Sequence, residues 1–393
     1  MPRFLVLIAL LQLAANPLLA APQITAVNGQ IQHGASLMLN GQGFGEKSAG
    51  AAPYRWDNFE NGTVGQPLGS PWDLVYYGGS NPVPPRYGLK SRTGFSQKTA
   101  SVNFDDTGRS DFGKSAGTAP GDIYRLYLSF YAYMDFSGAL SRNYKIFRSY
   151  SGAGDDHDML VLTMYPKTGS SWQFFSPPNV NLYNDYVSGT GEDGWHKYEF
   201  WTNLLADRTE VKFWIDGKLL IDWPSNPPDT SGRGMDELRI GHYFAHDDLV
   251  CSSSARAHYG ESCYPQSDNN SFCGGPCQWS SAACEAFGGC FATVSFDDVY
   301  IDQTPARVEL CSKSSYAAKQ SQGDLCEIQI PASWSTTSIG VNFNQGAFSS
   351  GQTAYLYVTD ADGAVNPQGY PLIIAGQGQD YTAPAQPQNL RAD

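Results

Sequence analysis

Basic residues are scarce in this 393-residue chain: Lys and Arg number 25 against 38 Asp and Glu, for a formal net charge of −13. They form no cluster, which excludes a surface built to neutralise nucleic-acid phosphates. Long apolar runs are scarce too. Beyond the stretch from Phe4 to Ala15, nothing approaches the ~20 residues that a membrane-spanning helix needs. The sequence has no phosphate-binding loop, no Ser-centred nucleophile elbow and no window of helical period. Cysteine is confined to residues 251–326. What the chain has in quantity is Gly (41), Pro (24), Tyr (23), Phe (20) and Trp (9). Turn formers joined to that much core-forming aromatic material point to an all-β protein rather than a disordered one.

Residues 1–20 join a Met-Pro-Arg start to the apolar stretch and end on the small residue Ala20. They are expected to be a secretory signal peptide, which places the protein outside the cytoplasm, extracellular or periplasmic, with no membrane span. In that setting eight cysteines read as disulfides. Cys251, Cys263, Cys273, Cys277, Cys284 and Cys290 fall in a Ser-, Gly- and Asn-rich insertion, 251–290, too poor in aliphatic residues for a core of its own. Three bridges are expected to staple it, in a connectivity that spacing does not fix. Cys311 and Cys326 are expected to form the fourth. Zinc is disfavoured because no histidine stands at ligand spacing beside these cysteines.

Alternation marks the strands. From Ile123 to Phe136, Leu126, Leu128, Phe130, Ala132 and Met134 take one face, and Arg125, Tyr127, Ser129, Tyr131, Tyr133 and Asp135 the other. Further strands are expected at Tyr144–Tyr150, Met159–Tyr165, Gln173–Phe175, His196–Thr202, Glu210–Ile215, Glu237–Tyr243 and Thr293–Asp302. Two packed antiparallel sheets follow. The segments GWHKYEFWTNLL…TEVKFWIDGKLLID, DELRIGHYF and VSFDDVYID, in that order, resemble the second half of a concanavalin A-like (LamG-like) jelly roll. This resemblance implies a fold, not an activity. Residues 22–46, with the pattern P-x-I-x-x-V…G-x-x-L-x-L-x-G-x-G-F-G, resemble the first two strands of an IPT/TIG immunoglobulin-like domain. Residues 304–376 resemble the later strands of such a fold. The expected architecture is therefore a jelly roll at 51–303 inserted into, or flanked by, an immunoglobulin-like β-sandwich made of 21–50 and 304–376, with a linker or tail at 377–393.

The resemblance to concanavalin A-like domains raises three functions. A carbohydrate-binding or adhesion protein would use the polar, aromatic outer face, since pyranose C–H faces pack on aromatic rings and hydroxyls need Arg, Lys and carboxylates. Strand parity nominates Tyr127, Tyr131, Tyr133, Lys197, Trp201, Trp214, Arg239 and Tyr243 to contact an extracellular polysaccharide or glycan. A polysaccharide lyase is the alternative, with Tyr243, His242, Arg239 and Arg148 as its catalytic candidates. A glycoside hydrolase would need paired carboxylates, and the E-x-D-x-x-E run usual in this fold is missing. The third reading is a structural protein meeting cell-surface protein partners. Asp155, Asp156, Asp158, Asp247 and Asp248 are candidate calcium ligands, hard oxygens on loops. Asp297-Asp298, in the last jelly-roll strand, is expected to order a neighbouring loop.

Overall fold

The computed structural model describes residues 21–375 apart from 49, 71, 79–83, 105–108, 116–122, 136–143, 151–157, 166–170, 177–179, 187–193, 206–207, 224–233 and 242–291. In chain order the strands begin with β1 (Gln23–Gly29), β2 (Ser36–Gln42), β3 (Arg55–Asp57), β4 (Leu74–Gly78), β5 (Arg86–Thr93), β6 (Ser96–Phe104), β7 (Arg109–Ser115) and β8 (Arg125–Asp135). Next come β9 (Tyr144–Tyr150), β10 (Asp158–Tyr165), β11 (Ser171–Ser176), β12 (Val180–Tyr186), β13 (Trp195–Leu205), β14 (Arg208–Ile215), β15 (Lys218–Trp223) and β16 (Glu237–Ile240). The last are β17 (Ala292–Asp302), β18 (Arg307–Cys311), β19 (Cys326–Trp334), β20 (Ser338–Asn342), β21 (Thr353–Thr359) and β22 (Tyr370–Ile373), with helix α1 (Tyr316–Gln322) between β18 and β19.

Strands β4 to β17 make a central sandwich of two antiparallel sheets. One runs β15-β14-β13-β8-β17-β6-β5, with β3 also on β17, and the other runs β12-β11-β10-β9-β16-β7-β4. Period-2 alternation turns Leu126, Leu128 and Phe130 of β8 inward. They meet Tyr198 and Phe200 of β13 and, from the facing sheet, Phe147, Leu238 and Ile240. Phe147 stacks on Phe200 at 5.6 Å between ring centroids, which ties one sheet to the other.

The chain's first and last described strands share a third sheet, ordered β1-β2-β20-β19-β18-β21-β22. Ser36 to Asn40 of β2 lie opposite Asn342 to Ser338 of β20. β19 carries the turn of this sheet. Its first half, Cys326–Gln329, pairs with β18 and its second half, from Ile330, with β20, with an irregularity between Pro331 and Ser333. The sheet so folds over on a core of Ile24, Leu39 and Ile339 on one side and Val308, Leu356 and Leu372 on the other. This is the terminal sandwich. The helix α1 has no counterpart in the sequence reading, because seven residues are too few to display a 3.6-residue period. Local chemistry makes it: the Ser315 side chain accepts from the Ala318 amide, and Gly323 ends the helix at φ +79°.

Candidate functional site

The strongest side-chain chemistry lies where the two sandwiches meet. The outer face of β13, β8 and β17 packs on β18 and β19, and Tyr127, Trp201, Trp214, Tyr300 and Ile328 form an apolar cluster between them. Two charged knots flank this cluster. In the first, Glu309 of β18 is fully buried and receives Lys197 of β13 at 3.0 Å, Arg307 at 3.0 Å and Lys319 of α1 at 2.8 Å. Burial alone would raise the Glu309 pKa, but these three cations outweigh it and hold the carboxyl well below its usual range. Arg307 lies over the Tyr127 ring at 4.4 Å, and the Tyr127 hydroxyl donates to Glu199 at 2.6 Å.

The second knot joins the β5–β6 hairpin to β17 and β19. Arg92 contacts Asp297 at 3.2 Å, Glu327 at 2.8 Å, and Asp298, and lies over the Tyr131 ring at 3.8 Å. Ser96 donates to Asp297. Asp298 occupies the left-handed region at φ +48°, a conformation Asp tolerates better than most residues. Burial pushes its carboxyl up to about 6 against the opposing pull of Arg92, and burial together with the Asp298 charge raises Asp297 as well. The Asp297-Asp298 pair therefore fastens a hairpin and a neighbouring sandwich.

The open sugar platform expected from strand parity is corrected by this packing. Tyr127, Tyr131 and Lys197 do leave the central core on the outer face, yet the terminal sandwich seals them at 0%, 6% and 2% exposure. The Tyr131 hydroxyl donates to the Cys326 carbonyl at 2.8 Å. Tyr133 remains half-buried, with the Lys90 ammonium 3.5 Å from its ring centroid. Arg239 is on the wrong sheet for that platform: β16 belongs to the sheet facing β13, so Arg239 points out of the opposite side of the sandwich. Alternation distinguishes inward from outward residues, but does not tell which of two sheets a strand joins.

Trp201 and Trp214 are almost as deeply buried, at 8% and 6% exposure, but their accessible edges meet open space. They line a cleft of ≈ 440 Å³ at the margin of the seam, within the size range of small-ligand sites. The central sandwich supplies its floor with these two rings and Glu210, Lys212, Leu219 and Asp222. The roof is built by Pro305, Arg307, Tyr316, Gln320, Thr359 and Asp362 of the terminal sandwich. Register explains the floor. Trp201, Lys212 and Asp222 lie opposite one another across β13, β14 and β15, and Trp214 and Leu219 form the next row. Glu210 accepts the Trp201 indole N–H at 2.9 Å and pairs with Lys212 at 2.7 Å, while Lys212 reaches Asp222 at 3.9 Å. The Thr359 hydroxyl borders the cleft buried and without a hydrogen-bond partner. The roof residues were missed by the sequence reading, which held the last strands to be a separate module and gave Tyr316 and Gln320 no element to sit on.

On the far side of the central sandwich, Arg148 of β9 and Arg239 of β16 face each other directly in register. Their guanidinium groups lie 4.8 and 4.4 Å from the Tyr150 ring, and Arg239 also pairs with Glu237. Two of the four lyase candidates are thus neighbours, while His242 and Tyr243 lie outside the described residues. So do Asp155, Asp156, Asp247, Asp248 and the six cysteines of 251–290; Asp158 opens β10. Cys311 and Cys326 are disulfide-bonded with Cα atoms 4.1 Å apart. Among the described residues the one group with metal-ligand spacing is Glu309 with these two cysteines, whose sulfurs are spent in the disulfide.

No protein-family model and no curated protein matches the chain. Among solved structures it is similar to the botulinum neurotoxin serotype D binding domain, at 8% identity over 78% of this chain and 72% of that one, with a TM-score of 0.35. It is also similar to a GH131 beta-glucanase catalytic domain from Podospora anserina, at 15% identity over 63% and 94% with a TM-score of 0.34. A third is an alginate lyase from Pseudomonas aeruginosa, at 11% identity over 55% and 85% with a TM-score of 0.31. Likeness at this level leaves function to be argued from the site.

Proposed function

We propose that this protein is an exported, non-catalytic carbohydrate-binding protein, and that its glycan enters the cleft between a jelly roll, 51–303, and a discontinuous immunoglobulin-like sandwich, 21–50 with 304–376. One observation carries the reading: two tryptophans and a tyrosine share a single cleft with charged and hydrogen-bonding groups from both sandwiches. Indole rings offer an apolar wall to sugar C–H groups, and the polar groups at the rim meet hydroxyls. The glycan is expected to be held at the margin of the outer face, not across its centre. The test is a glycan array followed by isothermal titration, with Asp222→Ala and Gln320→Ala, two cleft residues outside the cores, each weakening binding while the melting temperature stays put. A protein that binds no glycan leaves the structural, cell-surface reading in its place.

A second reading, a polysaccharide lyase, is favoured by a separate observation. Arg148 and Arg239 side by side around Tyr150 offer the cationic neutralisation that proton abstraction beside a uronate requires. It predicts new ultraviolet absorbance from unsaturated uronates when acidic polysaccharides are incubated with the protein, lost in Arg239→Ala. Calcium held by the acidic loops would make either activity sensitive to chelators.

A further inference from the structure

The charges that line the seam cleft bear on which sugars it can take, an inference that rests on the carbohydrate reading of that cleft. Three carboxylates, Glu210, Asp222 and Asp362, face two cations, Lys212 and Arg307. Both cations are already engaged by the protein. Lys212 is held by Glu210 at 2.7 Å, with Asp222 at 3.9 Å. Arg307 donates to Glu309 at 3.0 Å and to the Pro305 carbonyl at 3.0 Å, and its guanidinium covers the Tyr127 ring. An acidic sugar entering here would add a negative charge to a lining that is negative by one, and would have to take a cation from an existing ion pair.

A hydroxyl has a better reception. The Asp222 side chain is half exposed, and Asp362 is exposed on the turn after β21, so both carboxylates have oxygens within reach of a ligand, and a sugar hydroxyl can donate to them in place of water. The Thr359 hydroxyl, buried at the edge of the same cleft with no partner, can donate or accept. Gln320 on α1 adds an amide with both capacities. A positively charged ligand gains little, because Glu210 is already paired with Lys212 and the other two carboxylates are open to water, where ion pairs are weak.

We propose that the cleft selects a neutral saccharide, one carrying no carboxylate, sulfate, phosphate or free amine, by setting hydroxyl acceptors from both sandwiches around the Trp201 and Trp214 wall. Recognition of this kind takes both halves of the site, since Asp222 and Asp362 come from different sandwiches.

The experiment is isothermal titration of the intact protein with a panel of neutral oligosaccharides, a matched panel of uronate oligosaccharides and a panel of amino-sugar oligosaccharides. Neutral oligosaccharides are expected to bind with little dependence on salt, and Asp222→Ala and Asp362→Ala are each expected to weaken them about tenfold. Circular dichroism melts confirm that the variants are folded. Binding of uronates in preference to neutral sugars, lost in Lys212→Ala, would overturn the neutral assignment while leaving a glycan-binding cleft. Preference for amino sugars would overturn it likewise. Neutral sugars bound with unchanged affinity in both aspartate variants would place the site elsewhere and overturn the inference. No binding by any panel defeats the carbohydrate reading itself.

Discussion

At their centres the inner and outer faces of β8 and β13 are equally buried and built from opposite materials. Inward, Leu126, Leu128, Phe130 and Phe200 pack in an apolar core. Outward, Tyr127, Lys197 and Glu199 are equally inaccessible, but they are held by a hydrogen bond, by ion pairs and by an arginine from the other sandwich. An apolar core tolerates many arrangements of about the right volume, whereas a buried charge tolerates only those in which its partner is in place. The inner face therefore makes the central sandwich stable, and the outer face decides what may dock on it.

The sharpest way to break this comparison is at Glu309. Replacing it with Ala leaves Lys197, Arg307 and Lys319 facing one another in a buried site, at an expected cost of about 3–5 kcal/mol in urea unfolding. A loss below about 1 kcal/mol would show that water already relieves these charges. Leu128→Ala, on the other face of β8, is expected to cost ~2–5 kcal/mol by opening a cavity. Its effect should not depend on salt or pH. The Glu309 effect should.

A third prediction concerns acid. Because the Asp298 carboxyl is raised from 3.8 to about 6 in the folded protein, the folded state binds a proton that the unfolded chain releases between those values. The penalty for ionising it is fully present above about 6 and vanishes below 3.8, so this group makes the protein more stable as pH falls through that window. Asp298→Asn removes that slope, an effect on the order of 3 kcal/mol across the window, and Asn suits the positive φ. Melting curves of the two proteins across that range would converge at the acid end, and parallel curves would refute the assignment. The smallest effect is expected at Lys212→Ala in the cleft rim. Its ion pairs lie at the partly exposed rim and are expected to be worth about 1 kcal/mol or less, so sugar affinity should change where stability hardly does.

Much of the inner face was legible in the sequence. Strict alternation over Leu126–Met134 and the WHKYEF segment identifies residues that the structure puts in the core, and the residues after Arg307 read as strands where strands occur. The seam was not legible. Lys197 or Tyr127 on a polar strand face looks the same in sequence whether water or another sandwich lies against it, and Glu309 sits more than a hundred residues from Lys197 in the chain. Trp201 and Trp214 were identified correctly as outward residues. That they border a cleft depends on a roof supplied by α1 and the turn after β21, which no local pattern announces.

The pairing of β2 with β20 has a temporal consequence. Ser36 lies opposite Asn342, about three hundred residues later, so at synthesis rates of ~5–20 residues per second the first hairpin waits on the order of tens of seconds for its neighbour. A lone two-stranded ribbon is marginal in water, and it cannot act as a template during that wait. The intervening chain resolves this by returning to its own point of departure: β3, at the entrance to the central sandwich, pairs with β17, its exit, through Trp56 opposite Tyr300. Once the central sandwich has closed, strands remote in sequence emerge side by side. The loop-closure entropy of a very long connection has then already been met, and the terminal sandwich can assemble as quickly as a domain whose strands are adjacent in the chain.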